Sequence, residues 1–256
     1  MTFCLGMKIK DGLVGIADTR ITSGTEFITA RKLTIHQYGR HSMFLMSSGL
    51  RSVRDKAVTY FEEVIEEHSQ DFDKLYKATN AFAEQVRRVA REDKASLEEN
   101  HVPFNLHALV GGQLERDSEP KLYQLYPEGN WVEISQGTPY FIIGAYTYGK
   151  PLLDRVLYYD SSLEVALKAG YLAFDATRKS SNDVAFPIDV VVYQKDSFKM
   201  ETVRFEESQL RDISKWWQKH LERGVRELPT DWLNDFLERL EVAQPFSVST
   251  APGPGE

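Results

Sequence analysis

The chain has 256 residues, of which 42% are hydrophobic and 27% charged, with a formal net charge of −7. That balance belongs to a folded domain and sets aside a nucleic-acid-binding surface, which needs a basic face. No apolar run of about 18 residues is present to span a membrane, and a lone cysteine, Cys4, excludes an intramolecular disulfide and fits a reducing cytoplasm.

The first residues carry no basic region followed by an apolar stretch, so no secretory leader is expected. Removal of Met1 would expose Thr2, which then carries a hydroxyl and a free α-amine on one residue. An α-amine has a pKa of about 7.7–8.0, so such a threonine is a nucleophile with its own base. A hairpin turning at Asp11-Gly12 ties this terminus into a sheet. The apolar run 13–17 reads as a strand buried on both faces, and Asp18-Thr19-Arg20 ends it.

Lys32 opens the next predicted strand, 32–38, and a further strand covers 42–47. Ser47-Ser48-Gly49 then leads into a helix whose apolar positions Leu50, Val53, Ala57, Phe61 and Ile65 recur at helical spacing. A second helix is expected over 73–92. Strands follow at 104–114, 121–126, 130–135 and 140–143, then helices at 151–158 and 162–177, then strands at 186–194 and 198–205. Strands, two helices, strands, two helices and strands in that order make one α+β domain, a four-layer αββα sandwich over residues 1–206. A C-terminal helical hairpin over 207–241 is expected to pack on it, and 242–256, with its prolines and glycines, reads as a disordered tail.

Taken singly, the polar residues of the first fifty positions are bland. A threonine at position 2 is common, Asp18 ends a strand, Lys32 is a charge, and Gly49 is a permissive backbone before a helix. Two motifs are set aside. Gly144 to Lys150 matches a phosphate-binding loop except that Pro151 stands where a magnesium-binding hydroxyl is needed, so a turn into a helix with an early proline explains it. The six histidines show no metal-ligand spacing, and neither metal nor organic cofactor is implied.

Thr2, Gly6, Gly15, Ala17-Asp18-Thr19-Arg20, Lys32 and Ser48-Gly49 together resemble the catalytic half of a proteasome β-type subunit, the threonine branch of the N-terminal nucleophile hydrolases. Ile143-Gly144, Tyr148-Gly149-Lys150-Pro151-Leu152-Leu153-Asp154-Arg155 and Pro187-Ile188-Asp189 extend the likeness to the bacterial ancestral β-subunit (Anbu) family, over roughly residues 2–240. The resemblance implies Thr2 as nucleophile, Lys32 as the cation beside it, Asp18 as the acid holding Lys32, and Gly49 as an oxyanion donor. Ser180 is the counterpart of a supporting serine, and Ser47 and Arg51 would line the substrate pocket. Two family supports are altered: Gly144-Ala145-Tyr146 lacks the serine hydroxyl of a Gly-Ser-Gly turn, and 177–182 lacks the acid of an Asp-x-x-Ser-Gly segment.

The implied activity is hydrolysis of a peptide or small amide, inside a homo-oligomer that closes as a ring or opens as a helix; an unfoldase partner is left open by the sequence. Two alternatives stay open. One is an N-terminal nucleophile amidase for small amides, and the other is an assembling scaffold that has lost turnover.

Overall fold

The computed structural model describes residues 2–23, 26–68 and 71–242. The strands are β1 (Phe3–Ile9), β2 (Gly12–Asp18), β3 (Arg20–Ser23), β4 (Glu26–Thr29), β5 (Leu33–Tyr38), β6 (His41–Gly49), β7 (Leu106–Gln113), β8 (Lys121–Leu125), β9 (Trp131–Glu133), β10 (Tyr140–Gly144), β11 (Ile188–Gln194) and β12 (Met200–Phe205). The helices are α1 (Arg51–His68), α2 (Leu75–Glu99), α3 (Lys150–Val156), α4 (Leu163–Ser180), α5 (Glu207–Arg226) and α6 (Asn234–Val242), with a 3-10 turn at Asp231–Leu233. None of the described helices is long and apolar enough to cross a membrane.

Two antiparallel five-stranded sheets form the centre, in the orders β10-β1-β2-β11-β12 and β5-β6-β7-β8-β9. Between them lies a layer that includes Cys4, Leu13, Phe44, Met46, Leu109, Val191 and Tyr193. The outer face of the first sheet is covered by α3 and α4 through Leu153, Ala166, Ala169 and Phe174. The outer face of the second is covered by α1 and α2 through Val53, Ala57, Phe61, Phe82 and Val86. The expected αββα sandwich is therefore the observed one, and it explains why every residue of β1 and β2 is buried: each face of these strands meets apolar neighbours. Burying one side chain such as Phe3 in this way stabilises the fold by about 1.5–3 kcal/mol.

Three sequence expectations are corrected. Residues 20–29 form a separate two-stranded hairpin, β3–β4, that periodicity did not reveal. Lys32 lies in the link before β5 rather than on the strand. The second helix runs on to Glu99, because Leu97 packs, partly buried, against the α1–α2 core and extends the apolar face past a charged stretch.

The chain forms two compact units, one ending at Arg211 and one starting at Asp212. In the second unit Ile213, Trp216, Leu221, Trp232 and Phe236 are exposed. The predicted tail at 244–256 falls outside the described residues.

Candidate active site

β1 places Thr2 at the end of a central strand, and β10 fixes it there. The Thr2 carbonyl accepts from Ala145 N–H at 2.7 Å. This contact needs Gly144: its φ is +88°, and a Cβ on it would stand 1.9 Å from the Thr2 carbonyl oxygen. Ala145 itself is buried in the core, so this turn holds Thr2 by its backbone, with no side-chain hydroxyl.

Asp18 closes β2 directly beside this end. Its carboxylate, fully buried, accepts from Phe3 N–H at 2.8 Å, from Lys32 Nζ at 2.7 Å and from Arg20 N–H at 3.1 Å. Lys32 Nζ also donates to the Arg20 carbonyl at 2.5 Å. One carboxylate thus fastens the residue after Thr2, the link into β3 and the lysine ammonium. Burial pushes the Asp18 carboxyl above its ordinary 3.8, opposed by the Lys32 charge and by these hydrogen bonds.

Gly49 ends β6 with φ +138°, and a Cβ there would lie 2.2 Å from the Asn105 carbonyl oxygen. The next residue, Leu50, donates its N–H to that oxygen at 2.8 Å. Hydrogen-bonded and non-bonded pairs alternate along an antiparallel ladder, so the Gly49–Leu106 pair is a non-bonded one and Gly49 N–H turns away from β7. On that side, among the described residues, the backbone bonds from β6 toward β5 end with Ser47 N–H on the Lys32 carbonyl, at 3.3 Å.

Thr2, Lys32 and Gly49 line one cavity of about 550 Å³, together with Arg20, Ile21, Thr22, Ser48, Arg51, Arg54, Asn105, His107, Gln124, Ile142, Ile143, Gly144 and Tyr146. Three expected site residues, and Arg51, are therefore gathered at one opening, with Asp18 buried behind Lys32.

The other two are not part of its lining. Ser47 is buried within the sheet layers, and the pleat gives the neighbouring Ser48 to the cavity instead. Ser180 is the last residue of α4 and is exposed, while Ser181, the extended cap residue after it, is buried. Asp175 and Asp183 are also engaged elsewhere: Asp175 pairs with Arg178 at 2.8 Å, and Asp183 accepts from the Thr22 hydroxyl at 2.9 Å. Cys4 is wholly buried and burial drives its thiol pKa upward, which leaves it a small core residue and no nucleophile. The β3–β4 residues Arg20, Ile21 and Thr22 were missed by sequence reasoning, although their place immediately after Asp18 was a usable signal.

A family model for proteasome subunits matches residues 2–193. No curated protein sequence matches the chain. Solved structures agree closely with this one. Anbu (ancestral beta-subunit) from Yersinia bercovieri is 31% identical, with a TM-score of 0.82 over 89% of this chain and 97% of that one. An Anbu (Gly-1) mutant from Hyphomicrobium sp. strain MC1 is 30% identical, at 0.82 over 89% and 99%. A helical assembly of the Anbu complex from Pseudomonas aeruginosa is 30% identical, at 0.84 over 89% and 97%. With its αββα sandwich and its Thr2 cavity, the chain belongs to the proteasome subunit family as a β-type, Anbu-like member.

Proposed function

We propose that this protein is a threonine-type N-terminal nucleophile hydrolase that cleaves peptides, with Thr2 as its nucleophile once Met1 has been removed. The observation that carries the reading is the convergence of Thr2 and the buried Lys32–Asp18 pair on one cavity. Thr2 Oγ attacks the carbonyl carbon of the scissile amide while the Thr2 α-amine takes the hydroxyl proton. The C–N bond breaks, the amine leaving group receives that proton, and an ester on Thr2 remains. Water, activated by the same α-amine, hydrolyses the ester and restores Thr2.

Lys32 brings a positive charge that favours the deprotonated forms of the nucleophile and of the amine. Asp18 keeps Lys32 charged and in place. Gly49 N–H and the N-terminal end of α1 stabilise the oxyanion; loss of one such donor typically lowers kcat by about 10²–10³. The reading is tested by hydrolysis of a panel of short peptide amides and acyl-amino compounds. Turnover of peptides that Thr2→Ala abolishes supports it, and turnover confined to small acyl-amino compounds would favour an amidase.

The chain also fits a cytoplasmic homo-oligomer, ring or open helix, that encloses the Thr2 sites. The exposed Trp216, Trp232 and Phe236 offer surface for such an assembly to cover. A second reading, an assembling scaffold without turnover, draws on Ala145, which supplies no hydroxyl near Thr2. The Lys32–Asp18 pair, buried and set beside the Thr2 cavity, weighs against it.

A further inference from the structure

We infer that the Thr2 cavity selects substrates with an acidic side chain on the residue that supplies the scissile carbonyl, an inference that rests on the hydrolase reading above. Arg20, Lys32, Arg51 and Arg54 all line this cavity, and no Asp or Glu is among its described lining residues. In a chain of net charge −7 this is a local reversal of sign, and a cleft lined by one sign of charge concentrates ligands of the other. His107 adds no charge at neutral pH, since burial lowers its pKa.

Three carboxylates near the four cations offset them only in part. Asp18 is committed to Lys32. Asp55 serves both Arg51, at 3.2 Å, and Arg54, at 2.6 Å. Asp183 accepts from Thr22 and its charge also acts on Arg20. Arg20 donates to the Asn182 carbonyl at 2.8 Å and stacks on the Phe27 ring, contacts that leave its charge in place. Positive charge is in excess at the opening, and α1 adds the positive end of its dipole with no acidic residue in its first turn.

Placement says which substrate residue meets this charge. The acyl oxygen is held at Gly49 N–H, and Arg51 and Arg54 follow at once on α1, one helical turn apart on the same face. Arg54 gives Nε and Nη2 to Asp55 and retains Nη1. A carboxylate on the acyl residue is the complement of that donor set, because guanidinium–carboxylate bonds are charge-assisted and directional.

The test uses two tetrapeptide epoxyketones that differ only in ending with glutamate or glutamine. Their labelling rates are read by intact mass, and binding of the matching N-acetyl tetrapeptide amides is read by calorimetry at two salt concentrations. Labelling at least about tenfold faster with the glutamate probe is expected, an advantage that shrinks with added salt. Arg54→Gln should bring the ratio near one and Arg54→Lys should keep part of it. Should Arg54→Gln fail to fold, the half-exposed Arg51→Gln carries the same comparison. Equal or faster labelling by the glutamine probe overturns the acidic preference and leaves the hydrolase intact. If neither probe labels, the hydrolase reading fails; equal binding of the two peptide amides would then overturn the charge selectivity as well.

Discussion

At the scale of single residues the account turns on Asp18. It touches Phe3 N–H, Arg20 N–H and Lys32 Nζ at once, so Asp18→Asn disturbs the anchor of the strand and the lysine charge together. Removing one member of a buried ion pair costs about 3–5 kcal/mol, and turnover should fall at least about a hundredfold as Lys32 loses its orientation. Chemical denaturation and kcat/KM measure the two effects. The pH dependence has a definite sign. Because the folded pKa of Asp18 lies above 3.8, its own titration favours folding at low pH and that contribution is lost as pH rises through the folded value. Activity runs the other way: kcat/KM falls first as the Thr2 α-amine, the base of the reaction, is protonated, and then falls again through a lower inflection, above 3.8, as the ionised, Lys32-paired Asp18 is protonated. That lower inflection should be absent from Asp18→Asn. A wild-type acid inflection at or below 3.8 would contradict the buried-pair description.

Much of this residue-scale picture was legible in the sequence. Thr2 and Asp18 stand at the ends of one hairpin that the Asp11-Gly12 turn and the apolar run 13–17 mark, while Lys32 was joined to them by the family resemblance. Ser47 against Ser48 was not legible. Which of two adjacent serines faces a cavity depends on the β6 register against β5 and β7, and one step of the pleat exchanges them. Ser180 lies outside the cavity because α4 ends there: the backbone turns extended at Ser181, and that residue is the buried one.

At the scale of elements, two sharp backbone turns shape the site. Gly49→Ala places a Cβ against the Asn105 carbonyl at a φ of +138°. It should cost about 1–3 kcal/mol in stability and, by moving the N–H, lower kcat by at least about tenfold with a smaller change in KM. Unchanged kcat in a folded Gly49→Ala protein would remove Gly49 from the proposed oxyanion site. The two sheets are also joined by a polar contact, Tyr193 OH on β11 donating to Gln113 Oε1 on β7 at 2.8 Å within the layer between them. Tyr193→Phe leaves Gln113 Oε1 with the Asp196 N–H at 3.1 Å but strips the Phe198 N–H of its acceptor at 3.2 Å, so a loss of about 1–2 kcal/mol is expected, a fall of about 2–4 °C in Tm for each kcal/mol. The β3–β4 hairpin escaped sequence reading because Phe27 and Ile28 are largely exposed and the pair is short; its stability comes from neighbours that periodicity does not record.

At the scale of the whole molecule, a chain with exposed apolar residues on α5 and α6 is expected to assemble. Sedimentation velocity should show species much heavier than the 29.4 kDa chain, and paired substitutions such as Trp216→Glu with Phe236→Glu should lower their size. A wild-type protein that sediments as a monomer at micromolar concentration would contradict this. The sandwich itself was legible because strand and helix periods alternate in blocks along the chain.

The central claim, a processed and nucleophilic Thr2, is tested most directly by intact mass before and after treatment with a peptide epoxyketone, a probe that bonds both the hydroxyl and the α-amine of an N-terminal threonine. The expected result is a starting mass lacking Met1 and a single stable adduct, absent from Thr2→Ala. A mass that retains Met1, or a trimmed protein that takes up no probe of any side-chain type, would contradict the hydrolase and leave assembly as the function to explain.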